Sequence, residues 1–210
     1  MKKNNIIFMG TPDFAVESLK ILIKSNYNIL GVVTATDKKR GRGKKISFSP
    51  IKNFAIKNNI PIYQPKNLKS EEFINLMKKI KPDLLVVVAF RMLPEIIINI
   101  PQYGSINLHA SLLPNYRGAA PINWVIINGE RETGVTVFFI NKKIDEGDII
   151  NKKKISISED ETINLKDGVK NTLVTRLGMQ VRAVDSESGL YMTGSGLGKD
   201  VIFSCSSKLK

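Results

Sequence analysis

One segment restricts the fold more than any other: Leu84 to Ala89, an almost unbroken aliphatic run directly after Pro82-Asp83. A strand with no polar face must be covered on both sides, the condition of a central parallel strand with helices packed above and below it. The flanking sequence supplies partners. Residues 5–10, Asn-Ile-Ile-Phe-Met-Gly, form a second apolar run ending in a Gly-Thr-Pro-Asp turn, and Ile29 to Thr34, Ile60 to Tyr63, Gly104 to His109 and Gly134 to Ile140 read as further strands. After the first of these, Phe14, Ala15, Leu19, Leu22 and Ile23 make an apolar stripe at helical spacing, with Thr11 or Asp13 as cap and Pro12 in the first turn. Ser49 to Asn58, Ser70 to Ile80 and Ala119 to Asn128 read as further helices, and Lys38 to Lys45 as a basic, glycine-containing loop. Strands alternating with helices at this spacing predict an α/β fold with an open, doubly wound, mostly parallel sheet. Ligands of such sheets sit beyond the carboxyl ends of the strands, which singles out Gly10-Thr11-Pro12, Ala89-Phe90-Arg91, Asn107-Leu108-His109 and the loop near Asp145.

The chain has 210 residues, 42% hydrophobic and 24% charged, a globular mixture long enough for a sizeable core. That excludes a wholly disordered, collagenous or disulfide-framed chain. Cys205 stands alone, so no internal disulfide can form; with no amino-terminal signal pattern, a reducing, cytoplasmic setting is expected. No apolar run approaches the ~20 residues that span a bilayer, so no membrane association is expected. The balance of 32 Lys plus Arg against 19 Asp plus Glu, net +13, favours a polyanion such as nucleic acid or an anionic surface. Compositional drift of the kind an A/T-rich genome produces is the competing reading of much of this surplus, because Lys, Asn and Ile dominate the first three-quarters of the chain. That pattern stops near Leu165: of 28 isoleucines only Ile202 lies beyond it. Thr162 to Leu177 still carries a helical stripe, and from Met179 the pattern is one of short strands and turns.

Several chemistries lack their residues. Gly194-Ser-Gly-Leu-Gly198-Lys199-Asp200 has the wrong spacing and an Asp where a phosphate-binding loop needs a hydroxyl, and no Gly-x-Gly-x-x-Gly opens the first helix. One His and one Cys leave nothing with metal-ligand spacing, so no metal is expected. No Gly-x-Ser-x-Gly elbow is present. What remains is Asn107-Leu108-His109. Residues two apart on a strand share a face, so the Asn107 amide and the His109 imidazole can converge on one small group. An amide N–H stabilises a developing oxyanion and an imidazole moves protons near neutral pH, which suits carbonyl chemistry. The bland alternative is a core histidine with its hydrogen bonds satisfied. Asp145, in a polar turn, could orient His109 or be an ordinary turn residue beside Gly147, and periodicity does not choose between them. Ser111 to Pro121 follows as a rigid loop carrying Arg117, suited to an anionic or adenosine-bearing substrate or merely to leading into a helix.

Five stretches together resemble the methionyl-tRNA formyltransferase family: Met9 to Ala15; Gly41 to Lys45 with Ser49-Pro50; Pro82 to Pro94; Asn107 to Trp124; and Gly134-Val-Thr through Ile144 to Asp148. They cover about residues 4 to 165, in order and without large gaps. The resemblance implies a Rossmann-type catalytic domain that transfers a formyl group from 10-formyltetrahydrofolate to the methionyl amine of initiator tRNA. It puts Asn107, His109 and Asp145 at the reacting centre. It implies that Phe90, Arg91, Met92 and Leu93, with Ser111, Leu112, Leu113 and Pro114 and the segment from Phe139 to Asp145, serve the folate. It also makes the basic loop, with Arg40, Arg42, Lys44 and Lys45, a grip on the tRNA acceptor stem. Related formyltransferases acting on small amines share the Asn-x-His element, and an inactive tRNA-binding remnant would keep the basic loop; both stand as alternatives. The expected organisation is a catalytic domain over 1–178 and an atypical tail over 179–210 in place of the family's carboxyl-terminal barrel, in a monomeric protein.

Overall fold

The computed structural model describes residues 4–25, 27–40, 45–157, 181–186, 189–195 and 200–204. The chain divides into two compact units, Met1–Ser105 and Ile106–Lys210.

In the first unit, β1 (Asn5–Gly10), β2 (Asn28–Val33), β5 (Ile62–Tyr63) and β6 (Leu84–Val88) stand in the order β5-β2-β1-β6, and every pairing is parallel. The chain steps outward from β1 through β2 to β5, then returns to the other side of β1 as β6. With right-handed crossovers this reversal puts the helices before and after it on opposite faces, which is the doubly wound arrangement. It also explains why β1 and β6 are apolar throughout: Ile6 to Met9 are fully buried and no residue of Leu84 to Val88 exceeds 5% exposure. The parallel start of β6 is fixed by Asp83, whose carboxylate accepts from the Asn5 N–H at 2.7 Å and from the Gln102 amide at 3.1 Å.

The helices of this unit are α1 (Asp13–Lys24), α2 (Pro50–Lys57), α3 (Glu71–Ile80) and α4 (Glu95–Ile98). In α1, Pro12 rather than Thr11 or Asp13 takes the N-cap place and no side chain caps it, while Phe14, Ala15, Leu19 and Leu22 are buried as the stripe requires. Ser49 and Ser70 cap α2 and α3 by accepting from Lys52 N at 3.0 Å and Phe73 N at 3.4 Å. The segment read as a basic loop is partly a hairpin, β3 (Lys38–Arg40) against β4 (Lys45–Ser47), with Arg40 opposite Lys45.

The second unit carries β7 (Ser105–His109), α5 (Pro121–Ile127), β8 (Glu132–Phe139) and β9 (Ile149–Ser156). Here the pairing changes sense: β7 with β8 and β8 with β9 are antiparallel. Only nine residues, 140–148, separate β8 from β9, too few for the crossover that a parallel partner needs. A separate three-stranded antiparallel sheet is formed by β10 (Val181–Ser186), β11 (Gly189–Ser195) and β12 (Asp200–Ser204). The helix expected over Thr162 to Leu177 lies outside the described residues, as do Arg42 and Lys44. Among the described residues, no helix is long and apolar enough to cross a membrane.

Gly10 ends β1 in close quarters between α1 and β6: a Cβ there would lie 2.8 Å from the Ala15 Cβ and 3.0 Å from the Val88 carbonyl oxygen. Gly10→Ala is therefore expected to lower unfolding free energy by about 1–3 kcal/mol, the usual scale of overpacking, measured as a shifted urea midpoint with unchanged slope.

Candidate active site

Strand β7 presents Asn107 and His109 on one face, Asn107 half-buried and His109 only 7% exposed. Across the ladder Asn107 faces Phe138 and His109 faces Thr136, which in turn faces Lys152 on β9. This row fixes the loop that follows His109. The fully buried Thr136 hydroxyl donates to the Ser111 carbonyl at 2.7 Å and accepts from the Leu113 N–H at 3.1 Å. The Lys152 ammonium donates to the Leu113 carbonyl.

The loop then turns back over the histidine. Tyr116, Gly118 and Ala120 all have positive φ, and the Tyr116 carbonyl oxygen lies 2.8 Å from His109 Nε2. A carbonyl only accepts, so Nε2 carries a proton in this arrangement. The other ring nitrogen, Nδ1, lies 3.6 Å from Asp145 Oδ2. Doubly protonated, the ring would face an acceptor at each nitrogen. The Tyr116 side chain is anchored as well: its hydroxyl donates to Glu130 at 2.5 Å and accepts from the Asn128 amide at 3.1 Å. The hydrogen bond to the Glu130 carboxylate pushes the phenol pKa above its ordinary value, because ionisation would remove the donor and set two anions together.

Asp145 is held as tightly. The turn between β8 and β9 closes with the Phe139 N–H donating to the Asp148 carbonyl at 2.9 Å, and only glycine fits at 147, where a Cβ would fall 1.5 Å from the Phe139 oxygen. Within this turn Asp145 takes φ +52°, a left-handed conformation that Asp tolerates better than most residues. Its carboxylate accepts from the Gly118 N–H at 2.8 Å, and its carbonyl from Arg117 Nε at 3.0 Å, with the guanidinium also 3.5 Å from Glu146. Arg117, in the loop read from sequence either as suited to an anionic substrate or as a helix lead-in, is thus engaged with the aspartate turn. Asn107 and His109 share a strand face, as their spacing predicts, and Asp145 lies beside the His109 ring, a choice that periodicity had left open.

The other candidates are distributed differently. In the first unit, Ala89 turns the chain after β6 with φ +47°; Phe90 is half-buried, Met92 is 71% exposed and Leu93 is buried. The Arg91 guanidinium donates to the carbonyls of Lys66, at 2.9 Å, and Pro65, and lies 5.6 Å from the Phe90 ring centre, so it braces this segment. In the second unit Ser111 and Leu113 are buried, Leu112 half-buried and Pro114 exposed, and the Ser111 hydroxyl donates to the Asn115 carbonyl at 2.6 Å. Sequence reading missed Thr136, Lys152 and the Tyr116 carbonyl. A Thr set between two valines in a buried strand was a signal for the first; a main-chain acceptor leaves none. Among the described residues, no three His, Cys, Asp or Glu side chains are placed to hold a metal ion.

The first unit is thus an α/β arrangement wound about a parallel sheet, and the second contains a strand that presents an amide and an imidazole, with a carboxylate beside the ring. The chain belongs to the formyl transferase family, whose model matches residues 3–172. Among curated relatives, methionyl-tRNA formyltransferase of Bacteroides fragilis is 52% identical over 167 residues, 79% of this chain and 52% of that protein. The enzyme of the same name from Flavobacterium johnsoniae is 56% identical over 161 residues, 77% of this chain and 51% of its own. This chain spans about half the length of these relatives. Among solved structures, phosphoribosylglycinamide formyltransferase from Bacillus halodurans superposes with a TM-score of 0.61 at 20% identity, covering 76% of this chain and 83% of that one, a likeness of fold.

Thr136→Val keeps the side-chain volume but leaves the Ser111 carbonyl and the Leu113 N–H without this partner. The expected loss is about 1–3 kcal/mol in urea unfolding, the scale of an unsatisfied buried polar group, with Thr136→Ser recovering most of it.

Proposed function

We propose that this chain carries the catalytic part of a methionyl-tRNA formyltransferase, which moves a formyl group from 10-formyltetrahydrofolate to the amino group of methionyl initiator tRNA. The observation that carries this reading is the 52 and 56% identity to proteins of that name, with the family match running through Asn107, His109 and Asp145. The relatives' names favour tRNA over a small amine as acceptor.

In this reading the folate supplies the formyl group, and the chain's own residues handle charge and protons. The Asn107 amide donates to the formyl oxygen as negative charge develops there, and protonated His109 donates beside it. His109 Nε2–H rests on the Tyr116 carbonyl, so reaching a formyl oxygen exchanges one acceptor for another and leaves no donor stranded. Asp145 keeps the ring oriented and receives, through water, the proton leaving the attacking amine; as the new C–N bond completes, the bond from the formyl carbon to N10 of the folate breaks and N10 takes a proton back through the same water. In the first unit Phe90, Arg91, Met92 and Leu93 serve the folate, and in the second Ser111 to Pro114 and the segment from Phe139 to Asp145 do; Arg91 and Ser111 act by holding backbone in place. Arg40, Arg42, Lys44 and Lys45 contact acceptor-stem phosphates. The division into a catalytic domain over 1–178 and a tail over 179–210, a monomeric state and a cytoplasmic setting belong to the same proposal, as does catalysis without a metal.

Asn107→Ala and His109→Ala should each reduce kcat/KM by about two to three orders of magnitude in a formylation assay with charged initiator tRNA, the scale of losing one oxyanion donor or acid–base group. Both should leave the circular dichroism spectrum unchanged. Near-normal turnover in either variant would contradict the assignment.

Replacing Arg40, Arg42, Lys44 and Lys45 together by Gln should weaken tRNA binding and reduce the slope of log Kd against log salt by about 3 to 4, roughly one released counterion per lost phosphate contact. An unaltered slope would make the loop's charge incidental.

A further inference from the structure

Among the described residues the hairpin of β3 and β4 forms a two-stranded sheet of its own, and an isolated ribbon of three residues a side is marginal without support at its base. Between Lys38 and Ser47 it carries six basic residues and no acidic one, so self-repulsion opposes its closure. What fixes its direction lies at its foot. Lys52, in the first turn of α2, donates to Asp37 Oδ2 at 2.5 Å and to Gln64 Oε1 at 2.9 Å. Its ammonium also stands 4.2 Å from the centre of the Phe48 ring, with the side chain only 15% exposed. Gln64, just beyond β5, donates to the other Asp37 oxygen at 2.9 Å and to the Ala35 carbonyl at 2.6 Å. Thr34 and Ser49 share a hydrogen bond of 2.7 Å.

The network therefore seizes the chain on both sides of the hairpin, Ala35 and Asp37 leading into β3 and Phe48 and Ser49 following β4, and ties them to α2 and to the end of β5. A lysine here is not part of the cationic display: its charge is matched by Asp37, whose carboxyl is held below its ordinary value first by the Gln64 hydrogen bond and then by Lys52. We infer that Asp37, Lys52 and Gln64 are positioning residues for polyanion capture, setting the angle at which the basic hairpin leaves the sheet. The inference rests on the reading of that hairpin as a tRNA grip and adds to it the device that presents it.

The test uses Asp37→Leu and Gln64→Leu in the full chain, with the Kd for labelled initiator tRNA read by fluorescence anisotropy at fixed salt. Asp37→Leu removes an anion beside a basic hairpin, so net charge alone would tighten binding. Loss of positioning should instead weaken it about fivefold or more, because the ordering of the hairpin must then be supplied on binding. Gln64→Leu, which changes no charge, should weaken it similarly, with melting temperatures unchanged in both. If the Gln-substituted hairpin binds tRNA poorly but Asp37→Leu binds as well as or better than the unaltered chain, the foot does not position the hairpin and this inference falls alone. If the Gln-substituted hairpin binds tRNA normally, the reading of the hairpin itself falls, and this inference with it.

Discussion

The buried Thr136 hydroxyl bridges an acceptor and a donor two residues apart, the Ser111 carbonyl and the Leu113 N–H, and the path of the loop after β7 depends on that bridge. A hydroxyl can bond in this way only where the β7/β8 register sets Thr136 opposite His109. Slipping the register by one residue would turn every side chain to the other face and leave two main-chain groups unpaired. With the loop's first residues fixed, its continuation carries the Tyr116 carbonyl onto His109 Nε2 and the Gly118 N–H onto Asp145. The geometry of His109 and Asp145 is thus a consequence of sheet register as much as of the two side chains themselves.

The site holds backbone in left-handed conformations that L-residues adopt at some cost, at Tyr116, Ala120 and Asp145. Neighbouring bonds offset that cost: Arg117 to the Asp145 carbonyl, Gly118 to its carboxylate, Tyr116 to Glu130 and Asn128. The outcome is an imidazole oriented on both sides, by the Tyr116 carbonyl and by Asp145, which in the proposed transfer would lower the reorganisation needed.

Much of the first unit was legible because its signals are local. A run such as Leu84 to Val88 admits few structures, and the serines before α2 and α3 announce the helix starts. The Asn107–His109 pair was legible for the same reason, since a strand's period of two needs no tertiary information. Asp145 was less so: its approach to His109 depends on the short β8–β9 turn, and β9 was not anticipated. Ile149 to Ser156 alternates half-buried with exposed positions but places three lysines in succession, which masks a strand pattern by hydropathy alone. The four-residue α4 is too short for a period to register, and the glycines of the basic loop concealed the paired stems on either side. The role of Arg117 could not be foreseen, because one guanidinium serves a substrate or a neighbouring carbonyl equally well until the fold chooses.

The most direct measurement is a crystal structure of the chain with a folate carrying a one-carbon carbonyl that cannot be transferred. The carbonyl oxygen should lie within about 3.2 Å of both the Asn107 amide nitrogen and a His109 ring nitrogen, the limit for a hydrogen bond of this kind, with Asp145 still beside the ring. A carbonyl seated away from Asn107, with His109 Nε2 still bonded to the Tyr116 carbonyl, would contradict the assignment of these residues to the reacting centre.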